Sequence, residues 1–336
     1  MTALATTDFR SPAGFLALQS LPRVGPATAL RATLHSTEME RLLERHGVLL
    51  DEALERAQAR IADYALAEVM LLSFFDERYP DRLRDLSDPP PLLYVRGEVD
   101  LLAREKLVAV VGTREPTTFG TSAAQSLTGA LADSDWGIVS GLARGIDTIA
   151  HQTALEHNTP TIAVMGGGLD RIYPAENKNL AARIVERGGA LISEQPFGEQ
   201  PHPHHLIARD RLQSGLSVAV VVAQSGVKSG TMHTVRFAAA QGRPLFCPVP
   251  HNENGASEGL RVLLQRPARE LHSVLPAWRE AKALCARMGE RPLAHPVSRE
   301  DLAEFVHAVE LARLRQVPSR DQQSLIPPFG VDRDSA

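Results

Sequence analysis

Between residues 107 and 249 the chain repeats short runs of consecutive apolar residues: LVAVVG (107–112), GIVSG (137–141), TIAVMGGG (161–168), ALISE (190–194), SVAVVVA (217–223) and PLFCPV (244–249). Val, Ile, Ala and Leu occupy adjacent positions rather than alternate ones. Strands covered on both faces read this way, as in a parallel sheet. Helix-compatible segments such as GTSAAQSLTGALADS and AENKNLAARIVERGG separate the runs. This alternation predicts an α/β domain over 105–275, with a Rossmann-like, doubly wound and mostly parallel sheet. Glycines at the strand ends place ligand-binding turns along its carboxyl edge.

The flanks follow other patterns. Residues 1–70 predict a small helical domain: LLERHGVLLDEALERAQARIADYALAEVMLL has apolar residues near helical spacing and no proline. Upstream, LPRVGPATALRAT (21–33) reads as part of a helix-hairpin-helix, or SAM-like, turn, whose backbone amides can face a phosphate. Arg23 stands where such a hairpin usually has its first glycine, so a plain helix–turn–helix packing unit is the alternative. Residues 71–104 predict a connector. Pro89, Pro90 and Pro91 should keep it extended and irregular, with LLYVRG as a short edge strand. Beyond the sheet, ASEGLRVLLQ and PAWREAKALCARM predict helices. Within 276–336, a helical segment is expected to give way to a mobile tail, PSRDQQSLIPPFGVDRDSA.

Composition narrows the class. With 43% hydrophobic and 23% charged residues the chain is ordinary globular material. No run approaches the ~20 apolar residues of a membrane span. MTALATTDFRSPAG lacks the basic-then-apolar order of a secretory signal. Cys247 and Cys285 lie far apart without metal-type spacing, which predicts buried, inert thiols and a reducing cytoplasm. The net charge is −4, and between 105 and 250 the 12 Lys and Arg balance 12 Asp and Glu. A protein of this kind cannot hold nucleic acid by a general positive field, so any such site must be a local patch.

The strand-end turns carry the candidate chemistry. In VAVVGTREPTTFG (108–120), Gly112 permits close approach of a ligand, the next helix start offers free amides, and Arg114 can fork onto a phosphate. There is no Gly-x-Gly-x-x-Gly with a following acid and no Walker lysine, which disfavours a dinucleotide cofactor and P-loop hydrolysis. In SGLARGIDTIAH (140–151), Arg144 adds a second cation. Asp147 and His151 share a helix face, as an orienting pair or as local capping and packing. Tyr173 in YPAEN can stack on a base or pack on the sheet edge. Lys228 beside Ser229 is a candidate phosphate contact. His202, His204 and His205, interrupted by Pro203, lack the spacing that aims imidazoles at one ion, so no metal is expected.

Taken in order, GTREPTTFG, SGLARGIDTIAHQTAL, TIAVMGGGLDRIYPAENKNL and LISEQPFG resemble the DprA/Smf family of DNA-processing proteins, and the likeness extends over roughly residues 15–275. The tract from SGLARGID to YPAEN is its most specific part. The resemblance implies a cytoplasmic, homodimeric, non-enzymatic protein without cofactor. Such a protein binds and protects single-stranded DNA and delivers the recombinase RecA onto it in natural transformation or recombination. It implies a DNA-binding pocket built from Gly112, Thr113 and Arg114; Ser140, Gly141, Ala143 and Arg144; Arg209 and Arg211; and Ser229, Gly230 and Thr231. Tyr173 and Lys228 are the neighbouring candidates.

This chain also departs from the family pattern. Asp210 stands between the two arginines where Asn is usual, and a carboxylate there should oppose phosphate. Gln224 stands where a Glu is usual, and HPHHLIAR replaces the usual lead into the arginines. No winged-helix domain is recognisable after residue 275. Two other readings compete: a nucleotide-binding sensor, and a nucleoside-monophosphate glycosidase on a related fold. For the second, Glu194 is the obvious candidate acid.

Overall fold

The computed structural model describes residues 8–251, 255–298 and 301–315. Three helices open it: α1 (Pro12–Gln19), α2 (Pro26–Leu34) and α3 (Ser36–Leu66). Ser11 caps α1 by accepting a hydrogen bond from the Gly14 amide, and a proline occupies the first position of both α1 and α2. In the turn between them Arg23 adopts φ +62°, the left-handed conformation a glycine would take without strain. Phe15, Leu18, Leu30, Leu50 and Tyr64 bury the inner faces of these helices. They form one core with Leu71, Tyr94, Met165 and Leu191 of the sheet, so this helical layer covers one face of its first half.

The sheet has nine strands: β1 (Val69–Ser73), β2 (Leu92–Gly97), β3 (Leu107–Gly112), β4 (Gly137–Ser140), β5 (Thr161–Val164), β6 (Ala190–Ser193), β7 (Ala219–Gln224), β8 (Leu245–Pro248) and β9 (Ala294–Val297). Their order is β1-β2-β6-β5-β4-β3-β7-β8-β9. From β6 to β9 all pairings are parallel, whereas β1–β2 and β2–β6 are antiparallel. The six apolar runs of the sequence are β3 to β8. Val108, Ala109, Val110, Ile138, Val139, Val220 and Val221 have no exposed surface, as strands covered on both sides require.

Short helices complete the connections: α4 (Asp81–Arg84), α5 (Thr118–Asp133), α6 (Ile146–Glu156), α7 (Lys178–Glu186), α8 (Pro203–Ala208), α9 (Asp210–Leu216), α10 (Thr231–Ala240), α11 (Glu258–Gln265), α12 (Leu271–Val274), α13 (Lys282–Met288) and α14 (Leu302–Leu314). Among the described residues no helix is long and apolar enough to cross a membrane.

The structure corrects three expectations about the flanks. The segment from 71 to 104 is not an irregular connector. It supplies β2 and the end of β1, and the Tyr79 hydroxyl donates to the Pro90 carbonyl at 2.7 Å to hold the loop between them. LLYVRG is not an edge strand either: β2 lies between β1 and β6. Nor does the sheet end near 275, because β9 pairs with β8, and Trp278, Leu284 and Cys285 belong to the same buried cluster as β3 and β7. The segment expected to be a mobile tail, 318–336, lies outside the described residues.

Chain direction fixes where a ligand can enter. From β3 the chain winds outward through β4, β5 and β6. It then returns to β7 on the other side of β3 and winds the opposite way. The connections after β3 and β7 therefore leave on opposite faces and open a crevice beyond their carboxyl ends.

Candidate nucleic-acid interface

A cavity of about 910 Å³ occupies that crevice. The turn after β3 forms one wall with Gly112, Thr113 and Arg114, and the turn after β7 forms another with Lys228, Ser229, Gly230 and Thr231. Ala143 from the turn after β4, together with Arg209, Asp210 and Gln213 at the start of α9, joins the lining.

Backbone contacts lock the turns to one another. The Thr113 amide donates to the Gln224 carbonyl at 2.8 Å, and the Ile146 amide donates to the Thr113 carbonyl at 3.1 Å. Gly145, at φ +76°, makes the second contact possible, since a Cβ there would lie 2.4 Å from the Thr113 oxygen. The Gln224 side chain binds the first turn from below. Its Oε1 accepts from the Thr117 amide at 2.9 Å, and its Nε2 donates to the Thr117 and Ser257 hydroxyls, both at 2.9 Å. Asn177 of the YPAEN segment donates to the Leu142 carbonyl at 2.8 Å and so supports the second turn.

Asp147 fills the role of an orienting group. Its Oδ2 accepts from the amides of Gly141 and Ala143, at 3.1 and 3.4 Å. Those two amides are thus committed within the protein rather than offered to a ligand. Burial raises the Asp147 carboxyl above its ordinary range, against the lowering effect of Arg209. His151 is a packing residue. It is fully buried, its Nδ1 lies 2.7 Å from the Thr161 hydroxyl, and burial pushes its pKa down to about 3, which keeps the ring neutral.

The two arginines of the RDR segment are not free phosphate contacts. Both are about nineteen-twentieths buried. Arg209 donates through Nη1 to the carbonyls of Gly141 and Val164, at 2.6 and 2.5 Å, and ties the ends of β4 and β5 to the α8–α9 junction. It reaches the cavity only as part of the wall. Arg211 does not line the cavity. It donates to both carboxylate oxygens of Glu194 and to the Asp88 carbonyl, and its Nε lies 2.9 Å from Asp88 Oδ2. Glu194, the candidate acid of the glycosidase reading, is held in this pair and is likewise absent from the cavity lining.

Three further predicted site residues stand apart from the lining. Arg144 points outward and pairs with Glu176, with Nη2 2.6 Å from Oε2. Tyr173 is about half exposed and does not line the cavity. Ser140 lies under the turn, fully buried, with its hydroxyl donating to the Val110 carbonyl at 2.7 Å. The three histidine rings cluster: His202 stacks on His204 at 5.6 Å, and His205 meets His204 edge-on at 4.0 Å. Among the described residues no group of His, Cys, Asp or Glu is arranged to hold a metal ion.

Arg114 and Lys228 remain as the exposed basic side chains of the lining. They sit on the turns after β3 and β7, so the two halves of the sheet each present one cation to the crevice. Between them the start of α10 adds its positive dipole end, while its first amides are taken locally: Thr231 donates to the Ser229 hydroxyl, and Met232 and His233 donate to the Ser229 and Gly230 carbonyls. Gly230 there has open space around it: a Cβ would meet nothing within 4 Å. Sequence reasoning missed Gln213, His233 and Thr234, which also line the cavity from α9 and α10. Their only sequence signal is position, one helical turn beyond the RDR and SGT segments.

The family described as DNA recombination-mediator protein A matches residues 70–281 of this chain. The DNA processing protein DprA of Bacillus subtilis is 34% identical over 213 residues, 63% of this chain and 71% of that protein. Protein Smf of Escherichia coli is 40% identical over 192 residues, 57% of this chain and 51% of that protein. Among solved structures, DprA from Streptococcus pneumoniae superposes with a TM-score of 0.65 at 30% identity, covering 76% of this chain and 92% of that one. DNA processing protein A from Helicobacter pylori, whose structure was described for its single-stranded DNA binding mode, superposes with a TM-score of 0.57 at 28% identity, covering 73% and 96%.

Proposed function

Since this chain belongs to the DNA recombination-mediator protein A family, we propose that it binds single-stranded DNA in the crevice beyond β3 and β7 and acts in DNA recombination or transformation. The carrying observation is the pair of exposed cations, Arg114 and Lys228, facing one cavity of about 910 Å³ at the point where the strand order reverses. Side-chain cations beside the positive end of a helix bind phosphate without reading sequence, and the room between them admits bases. A local patch of this kind also resolves the charge problem, because the chain as a whole is at −4.

The same reading extends to homodimerisation, to delivery of RecA onto the bound strand, to a cytoplasmic location and to action without covalent chemistry. The family resemblance supports these, and the engagement of Glu194 by Arg211 fits the last. Anisotropy titration of labelled oligo-dT and of a duplex of equal length, at several salt concentrations, tests the central claim. Tighter binding of the single strand, with affinity falling as salt rises, is the expected result. Equal or tighter binding of the duplex refutes it.

A further inference from the structure

The cavity carries more acid than an anion site needs. Its lining includes three full-time cations, Arg114, Arg209 and Lys228, and four carboxylates, Glu115, Asp147, Asp210 and Glu258. With every group ionised the lining is negative overall, the wrong sign for a polyanion. Glu115 and Glu258 face solvent, where water screens them. Asp147 and Asp210 do not: they are 5% and 7% exposed.

These two acids come from different helices, α6 and α9, and converge on one guanidinium. Arg209 Nε lies 3.2 Å from Asp210 Oδ1, and Arg209 also acts on Asp147. Its Nη1 is already committed to two backbone carbonyls. A buried cluster of two carboxylates and one cation keeps an uncompensated negative charge, and a low-dielectric site favours removing it with a proton. Asp147 accepts two backbone amides, which favour its charged form against the raising effect of burial. Beside its Arg209 pair, Asp210 has neutral side-chain donors, the Gln213 amide at 3.2 Å and the Thr234 side chain, in place of the two backbone amides on Asp147. The proton therefore belongs on Asp210.

We propose that Asp210 takes up a proton as a nucleic-acid phosphate enters the cavity, so that binding of single-stranded DNA is proton-linked and tightens as pH falls. This rests on the reading of the crevice as a single-strand site. Burial is the chief cause, and with Asp147 it outweighs Arg209 and brings the Asp210 pKa up to about 7 before any ligand arrives. Arg114 also lowers it. A phosphate on Arg114 adds negative charge and cancels that help, so the carboxyl holds its proton more firmly in the complex. His233, the other titratable group on the facing turn of α10, is kept below its usual range by burial and so stays neutral above pH 6.5.

The test is titration of labelled oligo-dT at constant ionic strength between pH 6.5 and 8.5, with wild type, Asp210→Asn and the triple variant His202→Asn/His204→Asn/His205→Asn. For one linked proton, wild-type Kd should rise by roughly five- to tenfold across that range. Asp210→Asn should lose most of this rise and bind at pH 8.5 about as wild type does at pH 6.5. The triple histidine variant should keep the wild-type rise. Calorimetry of the wild type at pH 7.5 in two buffers of different ionisation enthalpy should show net proton uptake, a readout that needs no variant to fold. Equal pH dependence in wild type and Asp210→Asn, loss of the dependence in the histidine variant, or zero uptake each overturns the proposal while leaving the single-strand reading intact. Failure of the wild type to bind oligo-dT at any pH overturns both.

Discussion

Arg211 and Glu194 meet in a two-pronged ion pair, with Nη1 2.8 Å from Oε1 and Nη2 2.7 Å from Oε2, buried beneath the loop that carries Asp88. Removing the guanidinium would strand two carboxylates in a low-dielectric site, because Asp88 leans on the same side chain. Breaking a buried pair in this way costs about 3–5 kcal/mol. Arg211→Ala should therefore lower the urea midpoint of unfolding strongly, and any loss of DNA binding should follow the loss of folded protein. A stable Arg211→Ala protein that has specifically lost DNA binding would place this arginine back in the site.

Arg114 and Lys228 should behave in the opposite way. Neither has an ion-pair partner among the described residues, so Arg114→Ala and Lys228→Ala should leave thermal unfolding close to wild type. Each should weaken oligo-dT binding and reduce the slope of log K against log salt by about 0.7, the single-strand value for one phosphate contact. Arg209→Ala should instead reduce stability, because Arg209 holds the Gly141 and Val164 carbonyls. Salt-dependent anisotropy alongside thermal melts separates the two cases.

Two buried titratable groups push stability in opposite directions with pH. Asp210 is raised in the folded state to about 7, so its contribution is fully present below its unfolded value near 4 and is lost as pH rises through 7. His151 is lowered to about 3, so its contribution is present above 6.5 and is lost as pH falls toward 3. Between pH 4 and 6.5 they offset each other. Asp210→Asn should leave stability rising more steeply with pH over that window, and His151→Phe should leave it falling. Chemical denaturation at several pH values checks both signs.

Gly120, in the first turn of α5, lies against the Gln224 side chain: a Cβ there would sit 2.1 Å from Oε1. Gly120→Ala should displace that amide and break its bonds to Thr117 and Ser257, loosening the turn that presents Arg114. The expected outcome is a loss of about 1–3 kcal/mol, typical of a buried polar group left unpaired, with weaker oligo-dT binding. Wild-type stability and affinity would show that Gln224 is not the support of that turn.

The core of the architecture was legible in the sequence because strands buried on both faces must be apolar at consecutive positions. The runs that became β3 to β8 needed no other signal. Of the two later additions, β2 was legible as a strand but not as an interior one, and β9 did not show. β2 follows three prolines that read as loop, and β9 is four residues long, with Pro296 inside it and only Ala294 and Val297 buried. Their place in the sheet comes from partners distant in sequence, β6 for one and β8 for the other.

The site divides along the same line. By itself the sequence determined which turns close the sheet's carboxyl edge, since glycine and the strand–helix alternation dictate them locally, and it placed Gly112, Arg114, Lys228 and Ser229 there. Whether a cation is free or already paired is not a local property. Arg209 and Arg211 look like phosphate ligands along the chain. Only the tertiary fold brings the Gly141 and Val164 carbonyls to one and Glu194 and Asp88 to the other, and burial makes those partners obligatory. The same burial turned Asp210 from a plain negative charge between two arginines into a carboxyl that holds its proton near neutrality.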